Sequence, residues 1–70
     1  MSLYDGARVR LRADLPLLPA GALGTVVRTE PDGLIRVAFD VWEPARGTYR
    51  RATPRDGIDL VEPAELERLA

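Results

Sequence analysis

Ala7-Arg8-Val9-Arg10-Leu11-Arg12 alternates apolar and charged residues with a period of two. Successive side chains of a β-strand point to opposite faces, so this run reads as a strand with one face buried and one in water. Val9 and Leu11 point inward, and Arg8, Arg10 and Arg12 outward. The next stretch, Leu15-Pro16-Leu17-Leu18-Pro19-Ala20-Gly21, carries two prolines that exclude both a helix and a central strand. It reads as an ordered loop that tucks leucines against the body of the domain.

Working outward, Ala22-Leu23-Gly24-Thr25-Val26-Val27-Arg28-Thr29 is a second strand, rich in β-branched residues. Glu30-Pro31-Asp32-Gly33 has the composition of a type I turn followed by a left-handed glycine. Leu34 to Val41 returns as a third strand, with Ile35, Val37, Phe39 and Val41 inward. A three-residue loop over 31–33 pairs Glu30 with Leu34, Arg28 with Arg36 and Val27 with Val37, whereas a one-residue slip buries Val26 instead. Both registers stay open at this level. The facing pair Arg28 and Arg36 needs a carboxylate nearby, and Glu30 and Asp40 are the candidates.

Trp42-Glu43-Pro44-Ala45-Arg46-Gly47 reads as a loop and Thr48 to Thr53 as a fourth strand. Pro54-Arg55-Asp56-Gly57 is a tight turn, and Ile58 to Val61 a last strand with Ile58 and Leu60 inward. Pro63 suits the first position of a helix and Glu65 its first turn, so residues 63–70 read as a short C-terminal helical turn with Leu66 and Leu69 docking. Five short strands divided by Gly/Pro turns within 70 residues predict a single all-β domain, a small barrel or open sandwich.

Composition narrows the chemistry. There is no cysteine and no histidine, which removes disulfides, thiolate chemistry and the metal sites that depend on those ligands, so no cofactor is expected. Ser2 lies at the terminus, and the carboxylates show no spacing of a general acid–base pair or a calcium loop; catalysis is not expected. A core this small supplies about 3–5 kcal/mol of net stability, so a partner, or a second copy of the chain, is a natural staple. Every basic residue is arginine, and lysine, asparagine and glutamine are absent, a bias in keeping with a GC-rich genome. No apolar run approaches the roughly 18 residues that cross a bilayer. Met1 to Asp5 lacks the basic and apolar regions of a signal peptide, so the expectation is a cytoplasmic protein.

The net charge of −1 is unevenly spread: four Arg and two Asp over 1–29, five Arg and four acids over 30–55, one Arg and five acids over 56–70. The body is mildly basic and the tail acidic.

Val9-Arg10-Leu11, Leu18-Pro19-Ala20-Gly21-Ala22-Leu23-Gly24-Thr25-Val26-Val27 and Ile35-Arg36-Val37-Ala38-Phe39-Asp40, with a late Leu60-Val61-Glu62, resemble the SH3-like barrels of the KOW-type group. In these a glycine, a spacer and Gly-Thr-Val-Val bend the second strand, and a V-x-F-D strand follows. The likeness spans about residues 7–62 and implies a five-stranded SH3-like barrel, with 63–70 as its tail. It is nearest to a set of short bacterial proteins with the same layout. More distant are the ferredoxin-docking SH3-like subunits and the KOW domains of ribosomal and transcription factors. The resemblance implies binding in every branch and catalysis in none. The acidic pI and the absence of lysine depart from the nucleic-acid-binding types.

Three features are candidates for contact with a partner. The stripe Arg8, Arg10, Arg12 spaces guanidiniums roughly 6–7 Å apart on one face, suited to an acidic protein or to phosphates. The competing reading is a solvated face paired with the acidic C-terminal segment, Asp59 above all. Trp42, with Tyr49 near it in sequence, forms either an exposed aromatic platform or a cap on the core. Arg50 and Arg51, with Arg46 and Arg55, make a second basic cluster, balanced in the competing reading by Glu43 and Asp56. The expectation is therefore a protein-interaction module touching its partner through Arg8, Arg10, Arg12, Trp42, Arg50 and Arg51. The alternatives are a nucleic-acid-binding module and an accessory chain docking an acidic redox protein.

Overall fold

A computed structural model describes residues 3–69. These residues are all-β. The strands are β1 (Arg8–Leu11), β2 (Leu23–Thr29), β3 (Ile35–Phe39), β4 (Val41–Glu43), β5 (Thr48–Arg50), β6 (Asp59–Val61) and β7 (Leu66–Arg68). Two 3-10 turns, Pro54–Asp56 and Pro63–Glu65, separate the last three strands. Five strands form one antiparallel sheet in the order β6-β3-β2-β1-β7, and β4 and β5 pair as a separate hairpin.

The alternation of β1 does what its spacing predicts: Val9 and Leu11 are buried and Arg10 is exposed. With Ala7, Val26, Ile35, Val37, Phe39, Val61 and Leu66 they form the core cluster. Leu15 and Leu18 pack against it from the β1–β2 loop, held by a tight turn in which each amide donates to the other's carbonyl, at 2.8 and 3.2 Å. No buried side-chain N or O among the described residues lacks a hydrogen-bond partner.

The β2–β3 turn settles the register question in favour of both alternatives. Next to the turn, Arg28 faces Arg36 and Thr29 faces Ile35; beyond a bulge at Val27, Val26 faces Val37 and Gly24 faces Phe39. The extra residue rotates the strand, so Val26 enters the core while Val27 stays half-buried. Gly33 takes φ 93°, a left-handed conformation that glycine adopts without steric penalty, and its amide donates to the Glu30 carbonyl at 2.9 Å.

Several expectations are corrected. The sheet is open: β6 and β7 are its two outer strands, and the hydrogen-bonded ladder does not close into a barrel. The third strand ends at Phe39, and Val41, expected inward on it, is half-buried at the start of β4 and outside the core cluster. The five strands are also not the five expected. Only Thr48–Arg50 of the 48–53 segment is a strand, and it pairs with β4 outside the main sheet. The fifth strand of the sheet is Leu66–Arg68, where a helical turn was expected. Only Pro63–Glu65 winds, as a 3-10 turn. A helix of so few residues is marginal in water, whereas the outer edge of β1 offers unpaired backbone groups that must find partners. β7 takes them, with Arg10 facing Glu67 and Leu11 facing Leu66. Leu66 docks in the core as expected, but from a strand. On β6 the parity is also opposite to expectation: Leu60 faces solvent and Val61 is buried, because Val61 pairs with buried Ile35. No helix among the described residues is long and apolar enough to cross a membrane.

Candidate partner-binding surface

The arginine stripe is engaged from within. Arg8 Nη1 and Nη2 donate to the two carboxylate oxygens of Asp40 at 2.9 and 2.7 Å, and Nη1 also donates to Thr25 Oγ1 at 2.8 Å. That bidentate, half-buried bond raises the Arg8 guanidinium further above its ordinary pKa. Arg10 donates to Glu67 Oε1 from Nη2 at 2.9 Å and from Nε at 3.2 Å. Arg12 Nε donates to the Leu66 carbonyl at 3.1 Å. The partner expected for this stripe, Asp59, is not among these. The strand beside β1 is β7, which carries Glu67, while β6 with Asp59 lies across the sheet next to β3.

The second cluster divides. Arg50 forms a bidentate pair with Asp56 at 2.9 and 2.8 Å and lies 3.8 Å from Glu43. Asp56 is fixed in turn by the amide of Thr53 at 2.8 Å, capping the 3-10 turn and tying it to the hairpin. Arg46, Arg51 and Arg55 are exposed, and none of them has a carboxylate within ion-pair distance among the described residues.

The aromatic pair lies on strands, where a loop was expected. Trp42 and Tyr49 face each other across the β4–β5 hairpin, their rings edge to face with centroids 5.1 Å apart. Trp42 is 50% and Tyr49 64% exposed, and neither belongs to the core cluster. Tyr49 also forms one wall of a cavity of about 360 Å³ whose other lining includes Leu18, Pro19, Ala22, Leu23 and Phe39. An aromatic hairpin thus continues into an apolar groove between it and the β1–β2 loop.

Of the sequence-derived candidates, Trp42 is half exposed with Tyr49 as its ring partner, and the exposed Arg51 side chain has no ion pair among the described residues. Arg8, Arg10, Arg12 and Arg50 are each bonded within the fold. The groove residues Leu18, Leu23 and Phe39 were not foreseen. A leucine at an outward position of β2, beside Gly24, is the signal that marked the spot.

The ion pairs give the fold a predictable acid response. The carboxyls of Glu30, Asp56 and Glu67 are held below the ordinary carboxylate range, each chiefly by a hydrogen bond from arginine: Arg36, Arg50 and Arg10 respectively. Glu30 lies between the facing guanidiniums, bonded to Arg36 and, at 3.2 Å, to Arg28. A carboxyl depressed by folding is protonated more readily in the unfolded chain. These pairs therefore stabilise the fold above the unfolded values of about 4, and the contribution is lost as pH falls through the lower folded values. With no histidine present, the urea midpoint should stay level from pH 8 to 5 and drop only below about pH 4. A midpoint that already falls between pH 7 and 5 would contradict this assignment.

Comparison with protein-family models, with curated proteins and with solved structures finds no match for this chain.

Proposed function

We propose that the chain is a non-catalytic protein-interaction module built on an SH3-like strand meander, and that it meets its partner through the Trp42–Tyr49 hairpin and the adjoining groove. The observation that carries the reading is the exposed cross-strand aromatic pair continuous with an apolar cavity. Aromatic residues beside arginine are enriched where binding energy concentrates, and accessible apolar surface gains most from being covered. Arg51, Arg46 and Arg55 add positive charge on the same hairpin and its following turn, which favours an acidic partner surface. An acidic redox protein is one partner of that description.

Support for the SH3-like reading comes from the strand order, in which a three-stranded meander is flanked by two later strands and the last is reached through a 3-10 turn. Support for a non-catalytic role comes from the titratable groups. Those with shifted pKa values (Arg8, Glu30, Arg50, Asp56 and Glu67) are all pushed toward their charged forms by ion pairs. A general acid or base working near neutrality needs the opposite.

Affinity capture from an extract of the source organism, with native chain and variants in parallel, tests the site. A protein retained by the native chain should be lost with Trp42→Ala/Tyr49→Ala and kept with Arg10→Gln, whose guanidinium serves Glu67. Truncating such an aromatic anchor weakens binding by about 2 kcal/mol or more, roughly 30-fold. Loss on Arg10→Gln with retention by the aromatic variant would return the contact to the arginine stripe and overturn the assignment.

One observation favours a nucleic-acid-binding alternative: Arg46, Arg51 and Arg55 share the hairpin and its following turn with two exposed rings, and cations together with aromatic rings are also how single strands are held. Phosphate contact strengthens as salt is lowered, so a labelled single-stranded oligonucleotide that stays unbound at about 20 mM salt eliminates that reading.

A further inference from the structure

At the far end of β2 and β3 from the aromatic hairpin lies a second cavity, of about 420 Å³, sharing no residue with the first. Its apolar lining includes Leu3, Ile35 and Leu66, the last two being core residues whose outer faces close the end of the sheet. Arg12 and Arg68 line it as well, with Thr29 at the end of β2 and Gly33 of the β2–β3 turn. Neither arginine has a carboxylate within ion-pair distance among the described residues. Arg12 is held in place by its Nε bond to the Leu66 carbonyl at 3.1 Å, which leaves its two terminal Nη groups uncommitted. The Arg68 guanidinium stands 5.8 Å from the centroid of the Tyr4 ring, a cation–π contact that steadies it without neutralising it.

The geometry points to a binding site for a small organic carboxylate: a single acid group carried on a compact apolar body, with the acid at Arg12 and Arg68 and the body against Leu3, Ile35 and Leu66. A guanidinium presents a planar fork that matches a carboxylate. The apolar floor would be left wet by a bare inorganic anion, so the ligand carries hydrocarbon. The charge on the site is modest, because Glu67, already bonded to Arg10, also feels Arg12. That favours a monoanion over a dianionic phosphate. The volume falls at the small end of the range for small-molecule sites. A free acid and the C-terminus of a peptide ending in an apolar residue share this chemistry.

The site stands apart from the Trp42 surface and can be tested without it. The ¹⁵N-labelled chain is titrated with phenylacetate, with neutral phenylacetamide, and with a leucine-ended tripeptide carrying a free or an amidated C-terminus. Phenylacetate should shift the amides of Thr29, Gly33, Ile35 and Leu66 saturably, and phenylacetamide should bind at least tenfold more weakly. Arg68→Gln should weaken phenylacetate at least tenfold with its own spectrum still that of a folded chain, and Trp42→Ala should leave the titration unchanged. If the free-carboxyl peptide binds as tightly as phenylacetate and its amide does not, the site takes chain termini. If phenylacetate alone binds, it takes free acids. Either result supports the site. Absence of saturable shifts with both acids, equal binding of acid and amide, or a titration indifferent to Arg68→Gln overturns it.

Discussion

Leu11→Ala is expected to leave a large fraction of the chain unfolded at 25 °C. Leu11 is almost fully buried and sits where three elements join. It faces Leu66 on β7, its amide donates to the Ala22 carbonyl at 2.9 Å, and its carbonyl accepts from the Gly21 amide at 2.8 Å. Removing a buried leucine side chain costs about 2–5 kcal/mol, because the cavity closes only partly. A core of this size rarely supplies more than about 3–5 kcal/mol, so one such substitution takes most of what is available. Urea titration followed by far-UV circular dichroism measures the loss. Trp42 is a poor reporter, being half exposed already in the folded chain. A loss below about 1 kcal/mol would mean that β7 does not pack over Leu11 as described.

Gly24→Ala is the second severe change, and its cause is space. Gly24 has no left-handed backbone, so any residue can adopt its conformation. A Cβ there would lie 2.7 Å from Val37 Cγ1, 3.1 Å from the Ala38 carbonyl oxygen and 3.1 Å from Phe39 Cδ1. Val37 is fully buried and Ala38 nearly so, hence neither can retreat without moving the rest of the core. Overpacking of this kind costs about 1–3 kcal/mol, more than the few tenths to about 1 kcal/mol that alanine recovers by stiffening the unfolded chain. The cause is checked by a double-mutant cycle with Val37→Ala, which vacates the contested volume. The two changes together should destabilise by at least about 0.5 kcal/mol less than their sum. Additive losses would place the defect in the backbone of β2 and not in the contact.

Both effects belong to the part of the molecule that local pattern makes legible. The period-two runs at 7–12 and 34–41 identify β1 and β3, because a side chain's face on a strand follows from its position alone. Glu30-Pro31-Asp32-Gly33 identifies their neighbour's turn, since the backbone preferences of proline and glycine act within four residues. The need for a carboxylate between Arg28 and Arg36 was readable too, with Glu30 and Asp40 as the two candidates; the structure gives the role to Glu30, while Asp40 bonds Arg8. The aromatic pair was readable as a pair of residues, though not as a pair of facing strands. Trp42 and Tyr49 are only a turn apart in the chain, but the hairpin that joins them lies outside the main sheet.

What the chain does at long range was not readable. Leu66–Arg68 has the composition of a helix end and becomes a strand because β1, more than fifty residues earlier, has an edge to fill. Arg8 finds Asp40 at a separation of 32 residues and Arg10 finds Glu67 at 57. Those bonds pair Arg8 and Arg10 with carboxylates of the same chain, which no local pattern announces. The amino-acid order by itself determined the β character, the inward Val9 and Leu11 of β1 and Ile35, Val37 and Phe39 of β3, and the turn between β2 and β3. Each of these is settled by sterics and burial among near neighbours. Only the tertiary structure decided where the sheet ends, which arginines are engaged and which apolar residues stay in water. Those outcomes depend on which distant strand satisfies an open edge, a choice made by the free energy of the whole packed chain.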